Sequence, residues 1–105
     1  MEQSNKNYKL IVTIVNKGKA GKVVDVSNKA GAFGGTTLFA HGAAVRLLLG
    51  ISIEPEKEIV LTVIEESKAQ TVLDTIVTEL ELTEANKGIA FVLSLDQVIG
   101  IKDNN

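Results

Sequence analysis

Apolar residues along this chain cluster in short runs that have the length of β-strands and are separated by polar turns. The runs at 8–15 (YKLIVTIV) and 57–64 (KEIVLTVI) are rich in β-branched residues and are apolar on both alternating phases. GIAFVLSL at 88–95 has the same character, and residues 34–41 predict a further strand that is entered through glycines. The pattern therefore predicts four strands.

Two segments between these strands predict helices. The second is the clearer, because Ser67 and Gln70 form a capping box, S-x-x-Q, in front of an apolar stripe with helical spacing. The stripe consists of Val72, Leu73, Ile76, Val77 and Leu80. The first, around VVDVSNKA, is ambiguous, because its three valines favour a strand whereas its alanine–valine stripe favours a helix that Gly31 ends. Its position between two clearer strands leads us to predict a helix.

The resulting β-α-β-β-α-β order predicts an α+β, ferredoxin-like fold, in which a four-stranded antiparallel sheet carries both helices on one face. The uncovered face of such a sheet normally alternates apolar with polar residues. Strands one, three and four are instead apolar on both phases, and two helices cannot cover both faces. We therefore expect sheets from several subunits to pack against each other.

Composition narrows the class of protein. The length of 105 residues predicts a single domain, 1–105, whose polar ends at 1–7 and 102–105 are flexible tails. The absence of cysteine excludes a disulfide framework and thiolate chemistry. A net charge of −2 without a basic block, and an aromatic content of 4%, disfavour nucleic-acid binding. A polar start and the lack of about 18 consecutive apolar residues disfavour a secretory signal and a membrane span, so we expect a cytoplasmic protein.

Few residues favour catalysis, and we predict that the protein is not an enzyme. No nucleophile elbow, zinc-site or phosphate-loop motif is present. His41 could serve as a general base or a metal ligand, but no second histidine exists to share a metal, and an ordinary surface or interface role is the alternative. Glu54, Glu56 and Glu58 alternate along one strand, which we interpret as a solvated edge.

The stretch GAFGGTTLFAHG at 31–42 has two interpretations. Gly34 and Gly35 permit close backbone approach, and Thr36 and Thr37 add hydroxyls, so this stretch could hold an anion. Spacing alone favours the simpler alternative, a turn into a strand. The loop that follows, 42–54, is long and apolar, which is typical of a loop with a partner or of one that docks on its own assembly. Arg46 within it could pair with a ligand phosphate or with a nearby glutamate.

Four stretches together resemble the P-II nitrogen regulatory protein superfamily, in particular its shorter members, over about residues 8–101. They are KLIVTIVNKG, GAFGGTTLFAHG, GISIEPEKEIVLTVI and NKGIAFVLSLDQVIGI. The resemblance implies a homotrimer that acts in signal transduction and nitrogen regulation. It implies that an adenine nucleotide (AMP, ADP or ATP) binds in clefts between subunits, and that loop 42–54, the T-loop, regulates a protein target such as a membrane transporter or a metabolic enzyme.

The resemblance also implies the residues of the site. Gly34, Gly35, Thr36 and Thr37 would line the base pocket, Gly42 would lie at the T-loop root, Lys87 and Gly88 would form the B-loop that closes the cleft, and Lys102 would lie near the phosphates. The partner-binding loop would present Ala43, Arg46, Leu47, Leu48 and Leu49. No catalytic or metal-binding residue is implied.

The chain departs from classical members at several of these positions. Ala43 and Ala44 follow the T-loop root where a glutamine is usual, Ile89 replaces a basic residue, and Gly100 replaces an arginine. The loop has no tyrosine, so uridylylation is not carried over. A triphosphate would meet few cations, which leaves a less charged nucleotide, another small anion or no nucleotide open. The alternatives are a trimeric divalent-cation-tolerance-like protein and a small acylphosphatase-like enzyme, whose phosphate loop would need an arginine that NKGKAGK lacks.

Overall fold

The computed structural model describes residues 7–32, 36–41 and 57–100, with 36–41 described through its backbone. The elements are β1 (Tyr8–Val15), α1 (Ala20–Ser27), β2 (Thr36–His41), β3 (Glu58–Glu65), α2 (Glu66–Glu79) and β4 (Gly88–Ser94). The predicted α+β class, with antiparallel strands and two helices, is confirmed. Loop 42–54, residues 1–6 of the predicted tail 1–7 and the predicted tail 102–105 lie outside the described residues.

The strands form one sheet in the order β2-β3-β1-β4, and every neighbouring pair is antiparallel. β1 lies at the centre, where Val12 pairs with Leu61 on one side and with Phe91 on the other. β2 joins at the outer edge of β3, from Thr36 opposite Val63 to His41 opposite Glu58. Both strands with the longest β-branched runs are thus buried inside the sheet, where such side chains pack best.

Both helices pack against the same face of the sheet. One cluster of buried side chains joins the two helices to β1 and β3, and each of its large aliphatic members contributes about 1.5–3 kcal/mol relative to an exposed position. Its members on the strands are Ile11, Val15, Val60 and Ile64, and those on the helices include Val23, Val72 and Ile76. Of the stripe predicted for α2, Val72, Ile76 and Leu80 lie in this core and Leu73 packs against it, as expected from its spacing, whereas Val77 is not part of the cluster.

The face without helices is also apolar. Val12, Ile14 and Ile59 are buried there, and Leu10, Leu61 and Phe91 pack against them. On β4, which forms the free edge, Ile89 is 55% exposed and Leu93 is 41% exposed. Their partners across the strand pair are Ile14 and Leu10, so both side chains extend this apolar surface to the edge of the sheet.

The ends of the helices differ from the sequence prediction in one case. Gly31 has a φ of 114° in the widened turn Asn28–Ala32 that follows α1, which confirms it as the glycine that ends this helix. The prediction of a capping box is wrong, because α2 begins at Glu66 and no side-chain cap hydrogen bond forms. β3 runs directly into α2, so Ser67 is inside the first turn, while the Glu66 N–H donates to the Asn7 carbonyl at 2.9 Å. Gln70 bonds Asp74 instead.

No helix in the described part of the chain is long and apolar enough to cross a bilayer.

Candidate functional site

One end of the sheet brings together several strand termini that the sequence places far apart. His41, the last residue of β2, pairs with Glu58; Glu58 pairs with Val15; and Val15 pairs with Gly88, the first residue of β4. His41, the residue before Gly42, therefore lies in the same row across the sheet as Gly88 of the predicted B-loop. Three interstrand spacings of about 4.8 Å separate them, roughly 14 Å across the sheet. Gly42 itself lies outside the described residues.

Thr36 and Thr37 lie at the opposite end of β2. Thr36 pairs with Val63, five residues along the strand from the row that contains His41. At about 3.4 Å per residue this places Thr36 roughly 17 Å and Thr37 roughly 14 Å from that row. Within one chain the sheet therefore keeps these threonines apart from Lys87 and Gly88.

The turn at 86–88 has an unusual backbone. Asn86 has a φ of 66° and Gly88 a φ of 137°, so residues in the left-handed region flank Lys87 on both sides. Only glycine fits at position 88, because the Cβ of any other residue would overlap the Ile14 carbonyl oxygen. The Lys87 ammonium lies 3.7 Å from a Glu81 carboxylate oxygen, with the side chains 45% and 57% exposed. An ion pair so exposed contributes little, about 0–1 kcal/mol, and leaves the ammonium free to exchange partners.

Glu58 has a structural role that its sequence pattern does not indicate. Its Oε1 accepts the backbone N–H groups of Gly18 at 2.9 Å and Ala20 at 3.0 Å, at the entry of α1. The interpretation of Glu58 as part of a solvated edge is therefore wrong, and Glu54 and Glu56 lie outside the described residues. A carboxylate of the chain itself thus takes two amides of the NKGKAGK loop, which an acylphosphatase-like site would need for phosphate.

Asn16 connects three segments at this end of the sheet, and the sequence gives no sign of it. Its Nδ2 donates to the Asn86 carbonyl at 3.0 Å, and its Oδ1 accepts from the Lys57 ammonium. A contact between residues so distant in the chain depends on the sheet order alone. The predicted order of elements alone does not indicate it.

The remaining predicted residues are not all described. Gly34, Gly35 and Lys102 lie outside the described residues, as does the partner-binding set of Ala43, Arg46, Leu47, Leu48 and Leu49. The backbone of His41 ends β2, and its side chain is not described. Among residues 7–32 and 57–100, no three histidine, aspartate or glutamate side chains come together as metal ligands.

Comparisons with known proteins agree on one family. A family model described as nitrogen regulatory protein P-II matches residues 8–105. A comparison with curated protein sequences gave no match.

Solved structures share the fold at low sequence identity. Citrate-bound PII from Arabidopsis thaliana is 20% identical, with a TM-score of 0.62 over 91% of this chain and 84% of that chain. CPII from Thiomonas intermedia K12, bound to ADP and bicarbonate, is 15% identical, with a TM-score of 0.62 over 92% and 91%. The B. subtilis GlnK–ATP complex is 19% identical, with a TM-score of 0.59 over 86% and 85%. Because the family model spans every described element, the chain belongs to the nitrogen regulatory protein P-II family.

Proposed function

We propose that this protein is a non-enzymatic signal-transduction regulator, which assembles as a homotrimer and binds an adenine nucleotide in the clefts between subunits. The observation that carries the proposal is the separation of the two halves of the predicted site. Thr36 and Thr37 lie about 17 Å and about 14 Å along β2 from the row that contains Gly88. A single cleft can use both halves only if a neighbouring subunit supplies one of them.

The apolar face without helices supports assembly. Ile89 and Leu93 continue this face to the edge strand and remain exposed in the single chain. Contiguous exposed apolar surface on a small domain is typical of an interface, and a second copy would remove it from water.

Two of the solved relatives support a nucleotide as the ligand, because the GlnK structure contains ATP and the CPII structure contains ADP. The proposed ligand-binding set is Gly34, Gly35, Thr36, Thr37, Gly42, Lys87, Gly88 and Lys102. Of its two lysines, Lys87 forms an exposed ion pair with Glu81, which a phosphate would replace. With so few cations, we expect AMP and ADP to bind more tightly than ATP.

The partner is proposed to be a protein, such as a membrane transporter or a metabolic enzyme of nitrogen regulation. Loop 42–54 would contact it through Ala43, Arg46, Leu47, Leu48 and Leu49. Four apolar side chains around one arginine suit a contact surface that combines burial with a directed charge.

A mixing experiment tests the shared cleft. Lys87→Met removes the cation from one half, and Thr36→Val with Thr37→Val removes the hydroxyls from the other without changing side-chain volume. Each variant alone should lose ADP binding in calorimetry. Trimers co-expressed from both variants should recover about one site in four, because each cleft draws its halves from two independent subunits. Lys22→Met, at an exposed position on α1, is the matched control and should bind ADP normally.

Two outcomes would contradict the proposal. If the site were built within one chain, the mixture would stay inactive, since every subunit would carry a defect. If light scattering at micromolar concentration gave the mass of one 11.2 kDa chain rather than three, the assembly itself would be excluded.

A further inference from the structure

The side chain of Asn16 is held at both of its polar atoms. Its Oδ1 faces the Lys57 ammonium, which can only donate, and its Nδ2 faces the Asn86 carbonyl, which can only accept. These two partners fix the orientation of the amide group without ambiguity. The Asn16 carbonyl also accepts the Lys19 N–H at 3.0 Å, so main chain and side chain are both anchored at the end of β1.

Anchoring the Asn86 carbonyl has a consequence for the next residue. The described chain contains no cis peptide, so the C=O of Asn86 and the N–H of Lys87 point in opposite directions across one planar unit. With the carbonyl bonded to Asn16, the Lys87 N–H is directed away from the β1–α1 turn. The amide hydrogen is therefore presented on the outer side of the 86–88 turn.

An anchor matters here because the turn has an uncommon backbone conformation. Asn86 and Gly88 lie on either side of Lys87 with φ values of 66° and 137°. Positive φ is unfavourable for a residue with a side chain, although asparagine tolerates it better than most. A hydrogen bond to the Asn86 carbonyl selects one orientation of the peptide that links Asn86 to Lys87.

We propose that Asn16 is a positioning residue of the ligand site: it orients the 86–88 turn so that the backbone N–H and the ammonium of Lys87 meet a negatively charged group of the ligand. This inference rests on the proposed function, because it takes Lys87 and Gly88 as ligand-binding residues. Lys57 acts one step further away, by holding the amide of Asn16 in the donating orientation.

Two substitutions of Asn16 separate its roles. Asn16→Leu removes both polar atoms, and Asn16→Asp keeps the acceptor for Lys57 but replaces the donor that faces Asn86. Both should lower the affinity for ADP in calorimetry about tenfold, the effect of one lost hydrogen bond at the ligand. Lys17→Met, at the exposed neighbouring position, is the control that removes a positive charge without touching the turn, and it should change the affinity less than twofold.

Backbone carbon and nitrogen chemical shifts of Asn86, Lys87 and Gly88 provide a second readout, which does not need a ligand. They should change in both Asn16 variants and stay as in the wild type in Lys17→Met. ADP affinity and turn shifts that match the wild type in Asn16→Leu would overturn the inference. If the wild type itself does not bind ADP, the proposed function fails, and the turn shifts alone then support or overturn the positioning role.

Discussion

Gly88 lies where the backbones of β1 and β4 approach each other. A Cβ added there would overlap the Ile14 carbonyl oxygen and lie 3.3 Å from both the Val15 Cα and the Leu82 Cδ2. The φ of 137° adds strain for any residue with a side chain. Glycine is therefore required at this position by packing and by backbone conformation together, whatever ligand the turn binds.

Gly88→Ala should lower the free energy of unfolding by about 2–3 kcal/mol, because neither the Ile14 carbonyl nor the backbone of Gly88 can move without disturbing the β1–β4 pairing. Gly21→Ala is the matched control. Gly21 lies in α1 with no atom within 4 Å of an added Cβ, and alanine there should stabilise the protein by about 0.5–1 kcal/mol. Urea denaturation at a fixed protein concentration measures both. Equal effects of the two substitutions would contradict this account of Gly88.

Two buried threonines are positions at which a substitution should stabilise the protein. Thr13 and Thr62 are fully buried on the helix side of β1 and β3, and neither hydroxyl has a hydrogen-bond partner in the described part of the chain. Thr62→Val keeps the shape and removes the unpaired group, so it should raise the free energy of unfolding by about 1 kcal/mol. Thr75→Val tests the case of a threonine whose hydroxyl has a partner, because the Thr75 hydroxyl donates to the Thr71 carbonyl at 2.8 Å. A gain in stability at Thr75 equal to that at Thr62 would refute the explanation.

At the scale of elements, the start of α1 depends on a residue of β3. Glu58 accepts the N–H groups of Gly18 and Ala20, which places a negative charge at the helix N-terminus. Glu58→Ala should cost about 1–2 kcal/mol of unfolding free energy, and Glu58→Gln should cost less because the amide oxygen still accepts. Glu79→Ala, at an exposed position in the last turn of α2, should change stability by less than about 0.5 kcal/mol. A loss at Glu58 no larger than the loss at Glu79 would exclude the capping role.

The elements themselves were largely predictable, for physical reasons that differ between them. β1 and β3 are β-branched on both phases, a pattern that a helix with a polar face does not have, and their bounds were predicted within about one residue. α1 was ambiguous because valine favours strands, and tertiary packing of Val23 against the sheet resolved it. The capping box failed because a strand runs directly into α2, a connection that no local pattern records.

At the scale of the whole molecule, the exposed apolar residues of β4 are the best test of assembly. Ile89→Ser with Leu93→Ser should convert the proposed trimer to smaller species in light scattering, because the substitutions remove apolar side chains that a neighbouring copy would bury. Ile99→Ser is the control, since Ile99 is 45% exposed but lies beyond β4. An unchanged mass for the double variant would show that another surface holds the subunits together.

The site could be predicted only in parts. The sequence pointed to glycines, threonines and two lysines, and the sheet register then separated Thr36 from Gly88. Composition and spacing alone do not indicate which copy of the chain supplies each residue, so only the family resemblance implies a site between subunits. The role of Asn16 could not be predicted from the sequence, because its contact with Asn86 exists only once β1 and β4 are side by side.

The central place of β1 also determines how the chain folds. Lys9 pairs with Ile64 on one side and with Ser94 on the other. Both edges of β1, the most apolar strand, therefore pair with strands that are synthesised much later. Contacts of such long range slow folding, since the intervening chain must be closed before they form. During synthesis at about 5–20 residues per second, β1 therefore remains open to wrong partners until β4 has left the ribosome. The last strand to emerge is the one that completes the sheet.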